Sequence, residues 1–164
     1  MNYVVRAFKP SEEQYVADLH ERLYSGEYAW GPGFIDYARK IALEFPKRRS
    51  PDTDELWVAT DERDRPVGSI MLCPTDDPKV GQLRLFAVEE TCRRQGIGGK
   101  LMGALLEKAR SVGFERLVLW TAASLEDAIR QYERIGFRVV ETAENTSWRT
   151  DEGTVMEIKM ELTL

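Results

Sequence analysis

The chain reads as an α/β domain built on one mixed central sheet, with strands and helices in the order βααββββαβαββ. Three features predict this. Glu55–Thr60 and Val67–Leu72 are short apolar runs joined by the turn-forming Asp61-Glu62-Arg63-Asp64-Arg65-Pro66, the pattern of an antiparallel hairpin. Leu83-Arg84-Leu85-Phe86-Ala87-Val88 is an apolar strand that runs into a Gly-rich turn and an amphipathic helix, with another strand beyond it. A second helix and two closing strands complete the alternation.

Taken in order, Tyr3 to Phe8 alternates apolar and polar in strand fashion, and Lys9-Pro10 stops it. Ser11-x-x-Gln14 has the form of a capping box, opening a helix that carries Val16, Leu19 and Leu23 on one face and ends at Ser25-Gly26. Glu27 to Gly33 is a loop rich in aromatics, Phe34 to Phe45 a second helix, and Pro46 to Asp54 a polar loop in which Lys47-Arg48-Arg49 is expected to be solvated. Gln82 to Val88 follows the hairpin as the third strand of a meander. The helix from Gly98 to Val112 buries Leu101, Met102, Leu105, Leu106 and Ala109, with Gly113 as its C′ residue. Arg116 to Thr121 is a strand, Ser124-x-x-Asp127 starts the next helix, and Gly136 ends it. Phe137 to Glu141 and Thr154 to Leu164 are the last two strands, around a polar loop.

The length of 164 residues fits a single domain, 1–164, with no second domain expected. Hydrophobic content of 43 % and charged content of 31 % are those of a globular protein. No apolar run approaches the ~20 residues of a membrane span, and the start lacks a signal-peptide pattern, so a cytoplasmic location is expected. The net charge of −5 argues against a general nucleic-acid binder, which needs a broad basic face. Cys73 and Cys92 read as ordinary thiols, and no metal site is expected.

Arg93-Arg94-Gln95-Gly96-Ile97-Gly98 carries the chemistry. Glycines let a main chain approach a phosphate closely, the unpaired amides of a first helical turn point at it, and the helix dipole adds positive charge. Arg93, Arg94 and Lys100 supply side-chain charge. A P-loop is excluded, because Arg94 and Leu101 stand where glycine and Ser or Thr are required; a dinucleotide fingerprint is excluded by Leu101 and by the position of Gly96, eight residues beyond Val88.

Arg93-x-x-Gly96-x-Gly98 resembles the acetyl-CoA signature of the GCN5-related N-acetyltransferases (GNAT), Gln/Arg-x-x-Gly-x-Gly/Ala. Downstream, Ala128-Ile129-Arg130-Gln131-Tyr132-Glu133-Arg134-Ile135-Gly136-Phe137 resembles that family's Ala-x-x-x-Tyr-Glu-x-x-Gly-Phe helix. The C-terminal half is also similar to the acetyltransferase half of bacterial proteins that fuse this domain to a MarR-type DNA-binding domain. The element order agrees with the family's over the whole chain, which implies a fourth and fifth strand splayed to hold CoA.

The resemblance implies acetyl-CoA as co-substrate. Phe86, Ala87 and Val88 would hold pantetheine, with the Val88 N–H facing the developing oxyanion. Pyrophosphate would sit on the amides of Arg94, Gln95, Gly96, Ile97, Gly98 and Gly99, beside Arg93 and Lys100. Ala128 and Tyr132 of the second motif would contact the cofactor. Leu125 stands where many relatives have an asparagine that contacts pantetheine, and Ser124 is the candidate substitute. Tyr132, with an ordinary pKa of about 10, suits protonation of a thiolate leaving group.

The strand glutamate used by histone-acetylating relatives falls near Gln82, an amide that cannot take a proton. Glu27 is therefore the candidate base. His20, the single histidine, sits mid-helix and reads as a surface or packing residue. Tyr28, Trp30, Gln82, Arg84 and Trp120 are expected at the acceptor. Arg84 alternates with Leu83 and Leu85, and a guanidinium facing the cleft would clamp a carboxylate; the alternative is an ion pair with a neighbouring acid. The expected activity is acetyl transfer to a primary amine of a small molecule, such as an amino acid or peptide, by direct attack in a ternary complex. A non-catalytic acyl-CoA-binding sensor is the alternative, and an interaction module with Tyr28, Trp30 and Trp148 as its patch is a third. Edge strands of this fold also offer a route to a homodimer.

Overall fold

The computed structural model describes residues 2–27, 32–150 and 153–164. The strands are β1 (Val4–Ala7), β2 (Glu55–Thr60), β3 (Pro66–Pro74), β4 (Val80–Val88), β5 (Arg116–Ala122), β6 (Arg138–Thr150) and β7 (Gly153–Thr163). The helices are α1 (Glu12–Arg22), α2 (Pro32–Arg48), α3 (Ile97–Val112) and α4 (Glu126–Ile135). The seven strands form one mixed sheet in the spatial order β1-β2-β3-β4-β5-β7-β6. The chain order is thus βααβββαβαββ, with three strands rather than four between α2 and α3. The segment between β3 and β4 is spent on a turn: the Thr75 hydroxyl accepts from the Asp77 N–H at 3.2 Å, and the Asp77 carboxylate accepts from the Lys79 N–H at 2.9 Å.

Both sheet faces are covered, which is why β2 is apolar without a break. On one face Leu56, Val58 and Met71 pack with Val16, Ala17, Ile41, Ala42 and Phe45 of α1 and α2. On the other, Trp57, Ala59, Ile70, Leu72, Leu83, Leu117 and Leu119 pack against Leu101, Met102, Leu105 and Ala109 of α3, as the helical periodicity predicts.

Several local expectations are corrected. Ser11 precedes α1 in a left-handed conformation (φ 80°) and makes no side-chain cap; the Glu12 carboxylate instead accepts from the Lys9 N–H at 2.6 Å, and Gln14 donates to Asp18. α2 continues through Pro46 to Arg48, so Lys47 and Arg48 close a helix, where cations suit the negative end of the dipole. α4 starts after Leu125 with no side-chain cap from Ser124. β6 and β7 are long enough to reach Thr150 and Gly153, so the polar loop expected between them is mostly strand.

β4 positions the site in two ways. It pairs in parallel with β5 only over Val80–Gln82 and Arg116–Val118, after which the two strands separate. Opposite β3 it bulges: Ser69 and Met71 face Ala87 and Arg84, two steps against three. The bulged Leu85 has φ 49°, costing roughly 1–2 kcal/mol for a branched residue. The Ser69 hydroxyl holds it by donating to the Leu85 carbonyl at 2.8 Å. The bulge turns Leu85 toward the α1–α2 layer and Phe86 toward the α3–α4 layer.

Candidate active site

Where β4 and β5 part, a cavity of about 460 Å³ opens through the sheet. Both helical layers line it: His20, Tyr24, Phe34, Tyr37, Ala38 and Ile41 on one side, Leu125, Ala128 and Tyr132 on the other. Gln82, Arg84, Phe86, Trp120 and Glu157 come from the strands between. Six of the residues picked out by sequence, Gln82, Arg84, Phe86, Trp120, Ala128 and Tyr132, therefore meet in one space.

The Gly-rich turn leads into α3. Arg94 (φ 64°) and Gly96 (φ 79°) are left-handed, and Gly96 caps the helix without any side-chain hydrogen bond. A Cβ built on Gly96 or Gly99 meets nothing within 4 Å, and one on Gly98 meets only the Phe86 ring, at 3.4 Å. The turn thus has open space around its glycines and no side chain capping the first-turn amides, an arrangement that leaves room for an anion. Its side chains are partly committed: Lys100 Nζ donates to the Tyr3 carbonyl at 2.9 Å, Arg93 Nε to the Val88 carbonyl at 3.2 Å, and Gln95 accepts from the Tyr3 hydroxyl at 3.2 Å. Arg94 is exposed. Glu89, next after β4, accepts from Arg22 and from the Tyr15 hydroxyl, at 2.9 Å each, tying this end of the strand to α1. Arg22 accordingly holds the Glu89 carboxyl below its ordinary pKa.

α4 brings Tyr132 to the cavity. Its ring is 8 % exposed, 6.2 Å from Phe86 and 5.8 Å edge-on to Phe137. Gly136 (φ 119°) ends the helix just beyond it. Leu125 lines the cavity, whereas Ser124 is exposed and off its wall.

On the β4 wall of the cavity, Arg84 Nη2 donates to Gln82 Oε1 at 3.2 Å, and its buried Nε has no partner. Among the described residues Arg84 makes no ion pair, so the cleft-facing orientation is the one found. Trp120 stands at the rim, with Lys159 Nζ 5.9 Å from its ring centre. Tyr28, Trp30 and the side chain of Glu27 lie outside the described residues.

Two cavity residues escaped the sequence reading. Glu157 faces Ala122 across the β5–β7 ladder; its signal is an acid set among apolar neighbours in an interior strand. His20 is 2 % exposed, with Nδ1 2.8 Å from the Val16 carbonyl, and burial drives its pKa down to about 4. It falls at i+4 from Val16 and beside Leu19, on the apolar stripe itself. Cys73 and Cys92 are unbridged, and no metal-binding cluster occurs among the described residues. No described helix is long and apolar enough to cross a membrane.

The Acetyltransferase (GNAT) family model matches residues 14–137. N-acetyltransferase 8 of Homo sapiens is 34 % identical over 87 residues, 51 % of this chain and 38 % of that protein. Mycothiol acetyltransferase of Corynebacterium aurimucosum is 32 % identical over 66 residues, 40 % of this chain and 22 % of that protein. The chain therefore spans less than half the length of either relative. Among solved structures, ribosomal-protein-alanine N-acetyltransferase from Brucella melitensis superposes with a TM-score of 0.78 at 18 % identity, covering 98 % of this chain and 99 % of that one. A phosphinothricin acetyltransferase from Sinorhizobium meliloti, in complex with AcCoA, gives 0.79 at 15 % identity, covering 100 % and 89 %. At such identities the likeness is one of fold.

Proposed function

Because the chain belongs to the acetyltransferase (GNAT) family, we propose that it is an acetyl-CoA-dependent N-acetyltransferase whose acceptor is a small primary amine carrying a carboxylate, an amino acid or a peptide end. The observation that carries this reading is the fork cavity, which holds Tyr132 and Arg84 on its walls, Arg84 standing on the strand that leads into the Gly-rich turn and the helix N-terminus with no side-chain cap.

Phe86, Ala87 and Val88, beyond the last β4–β5 pairing, are the proposed strand for pantetheine, with the Val88 N–H polarising the thioester carbonyl. The amides from Arg94 to Gly99 would hold the pyrophosphate. Arg84 takes the acceptor's carboxylate through its unpartnered Nε and so orients the amine. The amine nitrogen attacks the carbonyl carbon, the C–N bond forms, and the C–S bond breaks. The departing thiolate takes the Tyr132 phenolic proton, and the amine proton leaves to a carboxylate. Glu27 is the base expected from sequence, and Glu157 is the carboxylate on the cavity wall. Glu27→Gln and Glu157→Gln discriminate them, since only loss of the true base removes the acidic limb of the rate profile.

The direct test follows CoA thiol release from acetyl-CoA over amino acids, polyamines, aminoglycosides and peptides, with acetyl-CoA binding by calorimetry on the same sample. The expected result is amine-dependent release, strongest for carboxylate-bearing acceptors, and a Tyr132→Phe variant slower by roughly 10²–10⁴-fold with unchanged acetyl-CoA affinity. Tight binding with no release from any amine would favour an acyl-CoA sensor.

A further inference from the structure

We infer that His20 Nε2 accepts a hydrogen bond from the amine of the acceptor substrate, and that His20 and Arg84 together select an amine that carries a carboxylate. The inference rests on the acetyltransfer reading above and assigns the amine end of its acceptor site.

Four buried side-chain nitrogen or oxygen atoms of the described residues have no hydrogen-bond partner: Glu13 Oε2, Arg49 Nε, His20 Nε2 and Arg84 Nε. Two of the four, those of His20 and Arg84, belong to residues lining the fork cavity. They are opposite in kind. A carbonyl can only accept, so the 2.8 Å contact with the Val16 carbonyl makes Nδ1 the protonated nitrogen and leaves Nε2 a lone pair. Arg84 Nε is always a donor. Buried polar groups are ordinarily paired, and a donor and an acceptor left unpaired on residues that line one cavity call for a ligand that supplies both complements. A carboxylate beside an amine does so.

Nδ1 is taken up by the Val16 carbonyl, so Nε2 is the nitrogen of this cavity-lining residue left for a ligand. Tyr24 stacks on that ring at 6.0 Å and 12°, and Phe34 packs on Tyr24 at 4.4 Å, an aromatic wall that keeps water from competing. Among the described residues, the charged groups on the cavity walls are Arg84 and Glu157. The neutrality of His20 matters to the chemistry. A carboxylate partner would stabilise the ammonium form and hold its proton on, whereas a neutral imidazole orients the nitrogen without adding to its basicity.

The wild-type protein allows the first measurement. Its single histidine gives one pair of imidazole ¹⁵N resonances. Titration with the amino acid that gives the fastest thiol release is expected to shift the Nε2 resonance toward the hydrogen-bonded range and leave Nδ1 in place. Kinetics then use His20→Asn, which keeps a donor for the Val16 carbonyl and removes Nε2, and His20→Gln, whose amide oxygen lies near the Nε2 position. His20→Asn should raise the acceptor KM by 10- to 100-fold with acetyl-CoA affinity within twofold, and His20→Gln should recover part of it. With the decarboxylated amine as acceptor, the His20→Asn effect should persist while that of Arg84→Gln disappears. An unmoved Nε2 resonance, or an unchanged acceptor KM in folded His20→Asn, would overturn the role of His20 and leave acetyl transfer standing. Absence of thiol release by the wild type with every amine would overturn the acetyltransfer reading, and this inference with it.

Discussion

Burial keeps His20 uncharged, and that has a consequence for stability which can be read without any substrate. In the unfolded chain an imidazole takes its proton below about pH 6.5; in the folded protein desolvation delays this to about 4. Between those values the unfolded state binds more protons, so the contribution is fully present above about pH 6.5 and is lost as pH falls toward 4. The whole loss is about 3 kcal/mol, of which about 2 kcal/mol has gone by pH 5. His20→Asn should lack this dependence. Urea unfolding at pH 7 and pH 5 should show the wild type losing about 2 kcal/mol more than the variant between the two. Parallel losses would mean that the ring is not buried as described. The signal for this residue was present in the sequence, since Val16, Leu19, His20 and Leu23 follow i, i+3, i+4, i+7. A polar residue on an apolar stripe is informative because it needs a partner, and that need is what a search for acids and bases alone passes over. Arg84 was legible as the polar residue between Leu83 and Leu85, although the bulge sends those two leucines to opposite layers and breaks the strict alternation. Glu157 was not, because which face of β7 meets the fork depends on its pairing with β5.

At the scale of elements, the Gly-rich turn before α3 shows backbone conformation and available space as separate requirements. A methyl group added at either Gly96 or Gly99 would meet nothing within 4 Å, yet Gly96 has φ 79° while Gly99 lies inside α3. Alanine at 96 must adopt a left-handed conformation and should cost roughly 1–2 kcal/mol. Alanine at 99 removes a helical glycine and should add about 0.5–1 kcal/mol. Thermal unfolding of the two variants should therefore shift in opposite directions, and acetyl-CoA affinity should fall in Gly96→Ala, where the amides are displaced. Shifts of the same sign would show that the turn is not held as described. This element was readable because glycine spacing is itself a statement about φ. The β4 bulge was not, since Leu85 at φ 49° has no propensity for that conformation and is held there by β3 through Ser69. The expected capping box at Ser11 failed because Ser11 is left-handed and makes no side-chain cap, and α4 is capped at Leu125 rather than begun by a Ser124 side chain.

Across the whole molecule, the sheet is two ladders joined along three pairs of residues. β1 to β4 form one antiparallel set and β5, β7 and β6 another, and only Val80–Gln82 against Arg116–Val118 connects them directly. α3 bridges the two on one face through Leu101, Leu105 and Ala109, while on the other face the fork lies open to the cavity. The backbone of β4 beyond Gln82 and of β5 beyond Val118 is thus without the ladder that would otherwise join them, each strand being paired there on its other edge alone. A ligand lying along residues 86–88 as a further strand would supply that missing connection. Acetyl-CoA at a hundred times its dissociation constant should stabilise the folded state by about 2.7 kcal/mol. Hydrogen exchange gives the distribution. Amides of residues 83–88 and 119–122 and of the start of α3 should slow most, while β1, β2 and the far end of the β6–β7 hairpin, already closed by their own pairing, should change only as far as global unfolding limits them. Equal slowing everywhere would place no ligand in the fork, and slowing confined to the start of α3 would mean that the pyrophosphate is held while pantetheine does not enter between the strands.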